Sequence, residues 1–70
     1  MSEYILNNVY TLRTKKSLTQ EELAEKVGIT RQTVISIEKG NYTPSVHLAL
    51  KIASVFRVNV EDIFKISNEK

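Results

Sequence analysis

The apolar residues of this chain fall in short clusters separated by short polar gaps, and breakers are few, with two Gly and one Pro. That pattern predicts an all-helical bundle. A first helix starts at Asn7 or Asn8, either of which can cap it. Val9, Leu12 and Lys16 then share one face, and Lys15-Lys16-Ser17 closes the helix with cations at its negative end. Thr19-Gln20-Glu21-Glu22 has the pattern of a capping box, so a second helix opens there, buries Leu23 and Val27, and stops at Gly28. Thr30 suits the cap of a third helix over Arg31 to Lys39, with Val34 and Ile37 inward and Gly40-Asn41 after its end. Pro44 disfavours helix at Thr43, and Ser45 caps a fourth helix whose stripe is Leu48, Ile52 and Phe56, with Ala49 and Ala53 beside it. Asn59-Val60-Glu61-Asp62 reads as the start of a short fifth helix, with two acids favourable to its dipole. Phe64-Lys65-Ile66 alternates apolar and charged residues and could be a strand instead, with Tyr4-Ile5-Leu6 its one candidate partner. Ser67-Asn68-Glu69-Lys70 reads as a frayed tail.

Seventy residues imply a single domain, 1–70, too short to rely on a large core. It must pack its helices efficiently or use a partner. Cysteine is absent, which excludes disulfides and thiolate metal sites and fits a reducing compartment such as the cytoplasm. No apolar run exceeds three residues, so a membrane span and a secretory segment are excluded. The net charge is +2. Its distribution is more informative: residues 1–27 are neutral, residues 28–58 carry +3 and residues 59–70 carry −1. A surplus of this size fits either a solvated face or an anionic partner.

Only Gly28-Ile29-Thr30 separates the second and third helices, which must therefore cross steeply. Leu23, Val27, Ile29, Val34 and Ile37 are the apolar positions of this unit, and Ala24 and Gly28 its small ones. These seven positions, within residues 20–39, resemble the helix-turn-helix of the lambda-repressor, Cro and Xre family. The likeness continues in Ser17-Leu18-Thr19-Gln20-Glu21-Glu22-Leu23-Ala24, in Arg31-Gln32-Thr33-Val34 with Ile37-Glu38-Lys39-Gly40, in Pro44-Ser45 and Leu50-Lys51-Ile52-Ala53, and in Val58 to Phe64. It spans residues 8 to 64 and is similar to the short stand-alone repressors of that family, in which the chain ends pair as a small antiparallel ribbon. One departure is Arg57, where the family often has Gly after the fourth helix.

The resemblance implies a five-helix, lambda-repressor-like, all-α domain with such a ribbon as an option. It also implies sequence-specific binding to the major groove of double-stranded DNA, transcriptional regulation, most simply repression, and a bacterial, phage or plasmid setting. Arg31, Gln32, Thr33 and Ser36 lie on the outward side of the third helix. Arg can read guanine, Gln adenine, and threonine a thymine methyl. Gln20 at the start of the second helix is the family's phosphate ligand, and Lys39, Asn41, Tyr42, Thr43 and Ser45 could hold the next phosphates. Asn41 equally suits a turn, and Tyr42 a packing position. Arg13 and Glu38 match the family's structural ion pair.

One such module offers little affinity, so a homodimer on a pseudo-palindromic site is expected. Residues 60–67 are the dimerisation segment, through Val60, Ile63, Phe64 and Ile66, unless these side chains close the monomer core. His47, the lone histidine, has no companions at metal-ligand spacing. No nucleophile–base set and no phosphate-cradling loop is present, so no cofactor, metal, small-molecule ligand or enzyme activity is expected. The alternative function is an antitoxin-like or adaptor protein whose main partner is another protein.

Overall fold

The computed structural model describes residues 3–68. Among them are four α-helices, one 3₁₀ turn and a two-stranded ribbon, in the order β1 (Glu3–Asn7), α1 (Val9–Lys15), α2 (Gln20–Val27), α3 (Arg31–Glu38), α4 (Val46–Phe56), the 3₁₀ turn (Val60–Asp62) and β2 (Phe64–Asn68). The fold is therefore mostly helical but not all-α, and the expected fifth helix is a single turn. The physical reason is strand pairing. From Phe64 the chain is taken into a ladder with β1, antiparallel, in the register Asn7↔Phe64, Ile5↔Ile66 and Glu3↔Asn68. Helix-start chemistry is present, since the Asp62 carboxylate accepts from the Asn59 N–H at 3.0 Å. The ladder ends the helix one turn later. Ser67 and Asn68 belong to β2, not to a frayed tail, and Glu69 and Lys70 lie outside the described residues.

Three helices start as their sequences dictate. The Thr19 hydroxyl accepts from the Glu22 N–H at 3.0 Å while the Glu22 carboxylate accepts from the Thr19 N–H at 2.8 Å, a complete capping box. Thr30 accepts from the Thr33 N–H and Ser45 from the Leu48 N–H, each at 3.1 Å. At α1 the two asparagines divide the work. Asn8 occupies the cap position without a side-chain bond to the helix, whereas Asn7 accepts the Val9 N–H at 3.0 Å.

The helix ends share one device. The residues after α1, α2, α3 and α4 that enter the left-handed region are Ser17, Gly28, Gly40 and Arg57. In each case the next residue's N–H returns to a carbonyl of the last turn: Leu18 to Arg13, Ile29 to Ala24, Asn41 to Ser36 and Val58 to Ala53, at 2.9–3.2 Å. Arg57, with φ 58 and ψ 45, adopts the conformation that a glycine would supply.

The core lies between the helices and consists of Val9, Leu23, Ala24, Val27, Val34, Ile37, Leu48, Ile52, Ala53, Phe56 and Ile63. α2 packs on both α3 and α4, which places the start of α3 on the outside of the molecule. On α1 the inward residues are Val9 and Arg13; Lys16, expected on that face, is the exposed C-cap. Two-stranded ribbons are marginal alone. This one is fastened to the helices at its base. Asn7 Nδ2 donates to the Ile37 carbonyl at 2.9 Å, Asn8 Nδ2 to the Asp62 carbonyl at 3.0 Å, and the Asn8 N–H to the Ile63 carbonyl at 3.0 Å.

Candidate nucleic-acid interface

At the exposed start of α3 the Thr30 cap fixes the first turn, and Arg31 and Gln32 project from it into solvent. Thr33 and Ser36 are half-buried. The Thr33 hydroxyl lies 3.0 Å from that of Thr30, so it is engaged at the cap. Gln32, Ser36 and Lys39 succeed one another at helical spacing on one face. Ile35 is half-buried beside them, a placement that sequence spacing does not reveal, because spacing alone does not separate a groove-facing side chain from a core one.

Gln20 is the first residue of α2 and is half-buried. Its side chain is not loose: Nε2 donates to Glu38 Oε1 at 3.1 Å. The same carboxylate pairs with Arg13, whose Nε reaches Oε2 at 2.6 Å and whose second terminal nitrogen reaches Oε1 at 3.2 Å. Arg13 also donates to the Leu18 carbonyl at 2.8 Å and lies over the Tyr10 ring, 5.3 Å from its centroid. Both partners of the ion pair are buried, with side-chain exposures of 9% and 7%. The hydrogen bond to Glu38 holds the Arg13 guanidinium above its ordinary range, against the opposite pull of burial. The pair ties α1 to the end of α3, and through Gln20 it also reaches α2. No local pattern signals that third arm, since Gln20 and Glu38 meet only once the helices cross.

Beyond α3, Lys39, Asn41, Tyr42, Thr43 and Ser45 are arrayed along the connection to α4, and Asn41 and Tyr42 are exposed. Ser45 spends its hydroxyl oxygen on the α4 cap. Tyr42, 47% exposed, and Thr43 line a cleft of about 340 Å³ with Pro44, Tyr4 and Ile5. Not all the positive charge of residues 28–58 faces this surface. Lys51 Nζ caps α2 through the Val27 carbonyl at 3.2 Å, and Arg57 lies in a separate groove with Lys16 and Lys26. His47 is exposed.

The four residues expected at a dimer interface separate into three kinds. Ile63 is 1% exposed and is packed into the chain's own core, so it is not available to a partner. Val60 and Phe64 are half-buried against that core. Ile66 is 67% exposed. Among the described residues no cluster of potential ligands could hold a metal, and no helix is long and apolar enough to cross a membrane.

A helix-turn-helix family model matches residues 9–63. An uncharacterised HTH-type transcriptional regulator of Methanocaldococcus jannaschii is 55% identical over 58 residues, covering 83% of this chain and 88% of the relative. The uncharacterised HTH-type transcriptional regulator YgzD of Bacillus subtilis is 51% identical over 63 residues, covering 90% of this chain and 96% of the relative. The crystal structure of the restriction-modification controller protein C.AhdI from Aeromonas hydrophila superposes with a TM-score of 0.72 at 33% identity, over 77% of this chain and 82% of that one.

Proposed function

The chain belongs to the helix-turn-helix family of DNA-binding transcriptional regulators, and on that premise we propose that it binds an operator as a homodimer and represses transcription there. The observation that carries this reading is the start of α3. Arg31 and Gln32 stand exposed on a capped first turn, at the place where a recognition helix meets base edges. Arg31 is suited to the O6 and N7 of guanine, Gln32 to the N6 and N7 of adenine, and the Thr33 methyl to thymine. Ser36 lies one turn further along the groove. Gln20 and the segment Lys39 to Ser45 would hold the flanking phosphates, which positions the domain without specifying sequence. The family and the names of its relatives point to a regulator and not to an enzyme. The relatives named above come from an archaeon and a bacterium. In either kind of cell such a protein acts in the cytoplasm, where the DNA is.

One copy supplies few base contacts, so two-fold pairing through the C-terminal segment would double the recognition surface. Ile66 would be its most exposed apolar anchor, with Val60 and Phe64 beside it. Repression then needs only occupancy: a bound dimer over a promoter excludes polymerase. A protection footprint on the promoter fragment upstream of the protein's own gene tests the whole reading. Two protected half-sites about 34 Å, or one helical turn, apart are expected. A single protected half-site, or none on any fragment tested, would contradict it.

A further inference from the structure

One carboxylate joins three helices here. Glu38 at the end of α3 accepts from Arg13 of α1 and from Gln20 at the start of α2. A carboxylate paired with a guanidinium accepts hydrogen bonds and donates none, so Gln20 must turn the nitrogen end of its amide toward Glu38. That nitrogen carries two hydrogens, and Glu38 takes one. We propose that Glu38 is a positioning residue for the DNA-backbone contact, presetting the Gln20 amide so that its second N–H meets a phosphate oxygen at the start of α2. The inference rests on the DNA-binding function proposed for the chain.

Two effects make the tie matter. An untethered glutamine would present its oxygen as readily as its nitrogen, and the oxygen end repels phosphate. It would also lose rotamer freedom on binding, a loss that the tie places in folding instead. Arg13 offsets the negative charge that Glu38 would otherwise bring near the phosphate.

The test is a double-mutant cycle of Gln20→Ala and Glu38→Asp, read as the dissociation constant for a promoter duplex and for a scrambled duplex. Aspartate keeps a negative charge for Arg13 but is shorter by one methylene, which withdraws it from Gln20. Each single variant is expected to weaken binding to both duplexes by the same factor, about three- to tenfold, the effect of one lost hydrogen bond. The salt slope should not change, because no cation is removed. The double variant should bind no worse than Gln20→Ala alone. Wild-type binding by Glu38→Asp overturns the proposal and leaves Glu38 a role in folding only, and a loss that repeats in full in the Gln20→Ala background overturns it by showing that Glu38 does not act through Gln20. Should Glu38→Asp fail to fold, side-chain ¹⁵N relaxation of wild-type Gln20 decides. An amide as rigid as the α2 backbone is expected, and a freely averaging one overturns the proposal. Wild type that binds neither duplex overturns the DNA-binding function and this proposal together, whereas a mobile amide in a protein that does bind DNA overturns the proposal alone.

Discussion

Arg57 holds a left-handed conformation that costs a non-glycine residue roughly 1–2 kcal/mol. Arg57→Gly removes that strain and returns part of the gain as unfolded-chain entropy. The expected net is a stabilisation of about 0.5–1 kcal/mol, seen in calorimetry as a Tm several degrees higher. Gly28→Ala should do the reverse, losing roughly 1 kcal/mol or more. The added methyl would meet only Lys51 Nζ, at 3.6 Å, so the loss is in the backbone and not in a clash. Lys39 is an exposed cation beside the proposed phosphate path. Lys39→Ala should weaken binding to every sequence equally and lower the salt slope by about one, as titrations at several ionic strengths would show. A sequence-dependent loss would instead make it a base reader.

At the scale of the elements, the sequence is legible wherever the chemistry is local. Thr19 with Glu22, Thr30 and Ser45 are caps that need only three or four neighbouring residues, and the stripes Leu23-Val27, Val34-Ile37 and Leu48-Ile52-Phe56 need only helical spacing. What distant partners decide is harder to read. The start after Asn59 reads as a helix because its acids and cap are in place, yet pairing with β1, far away in the chain, limits it to one turn. Ser17 gives no sign of left-handed backbone, since the usual marker is glycine, and Arg57 gives one only through the family's glycine at its position. Spacing puts Lys16 on the inner face of α1 and does not reveal that a charged neighbour is buried in its stead. Arg13 takes that place because Glu38, 25 residues away, neutralises it. Removing one partner strands the other: Arg13→Met should cost about 3–5 kcal/mol, and Arg13→Met with Glu38→Leu should recover much of that in urea unfolding. The raised arginine value fixes the pH behaviour. A group raised in the folded state contributes stability that is complete below its unfolded value and is lost only as pH climbs through the folded one. The stability difference between wild type and Arg13→Met should therefore stay constant from neutral pH to about pH 10.

At the scale of the molecule, the proposed recognition surface and the proposed dimer contact are linked through the ribbon base, where Asn7 holds the Ile37 carbonyl at the end of α3. The two apolar residues nearest that contact should behave differently. Ile66→Asp should raise the dimer dissociation constant at least about tenfold in sedimentation equilibrium while leaving the monomer fold intact. Ile63→Ala should cost about 2–5 kcal/mol of folding stability, since Ile63 is core. We propose that the exposed start of α3 reads base sequence. This is tested most directly by measuring the affinity of wild type and Gln32→Ala for the protein's own promoter duplex and a scrambled duplex across a series of salt concentrations. Wild type is expected to prefer the promoter, both affinities to fall steeply with salt, and Gln32→Ala to lose about 1–3 kcal/mol of the preference with its salt slope unchanged. Equal preference in wild type and Gln32→Ala, or none in either, would contradict it.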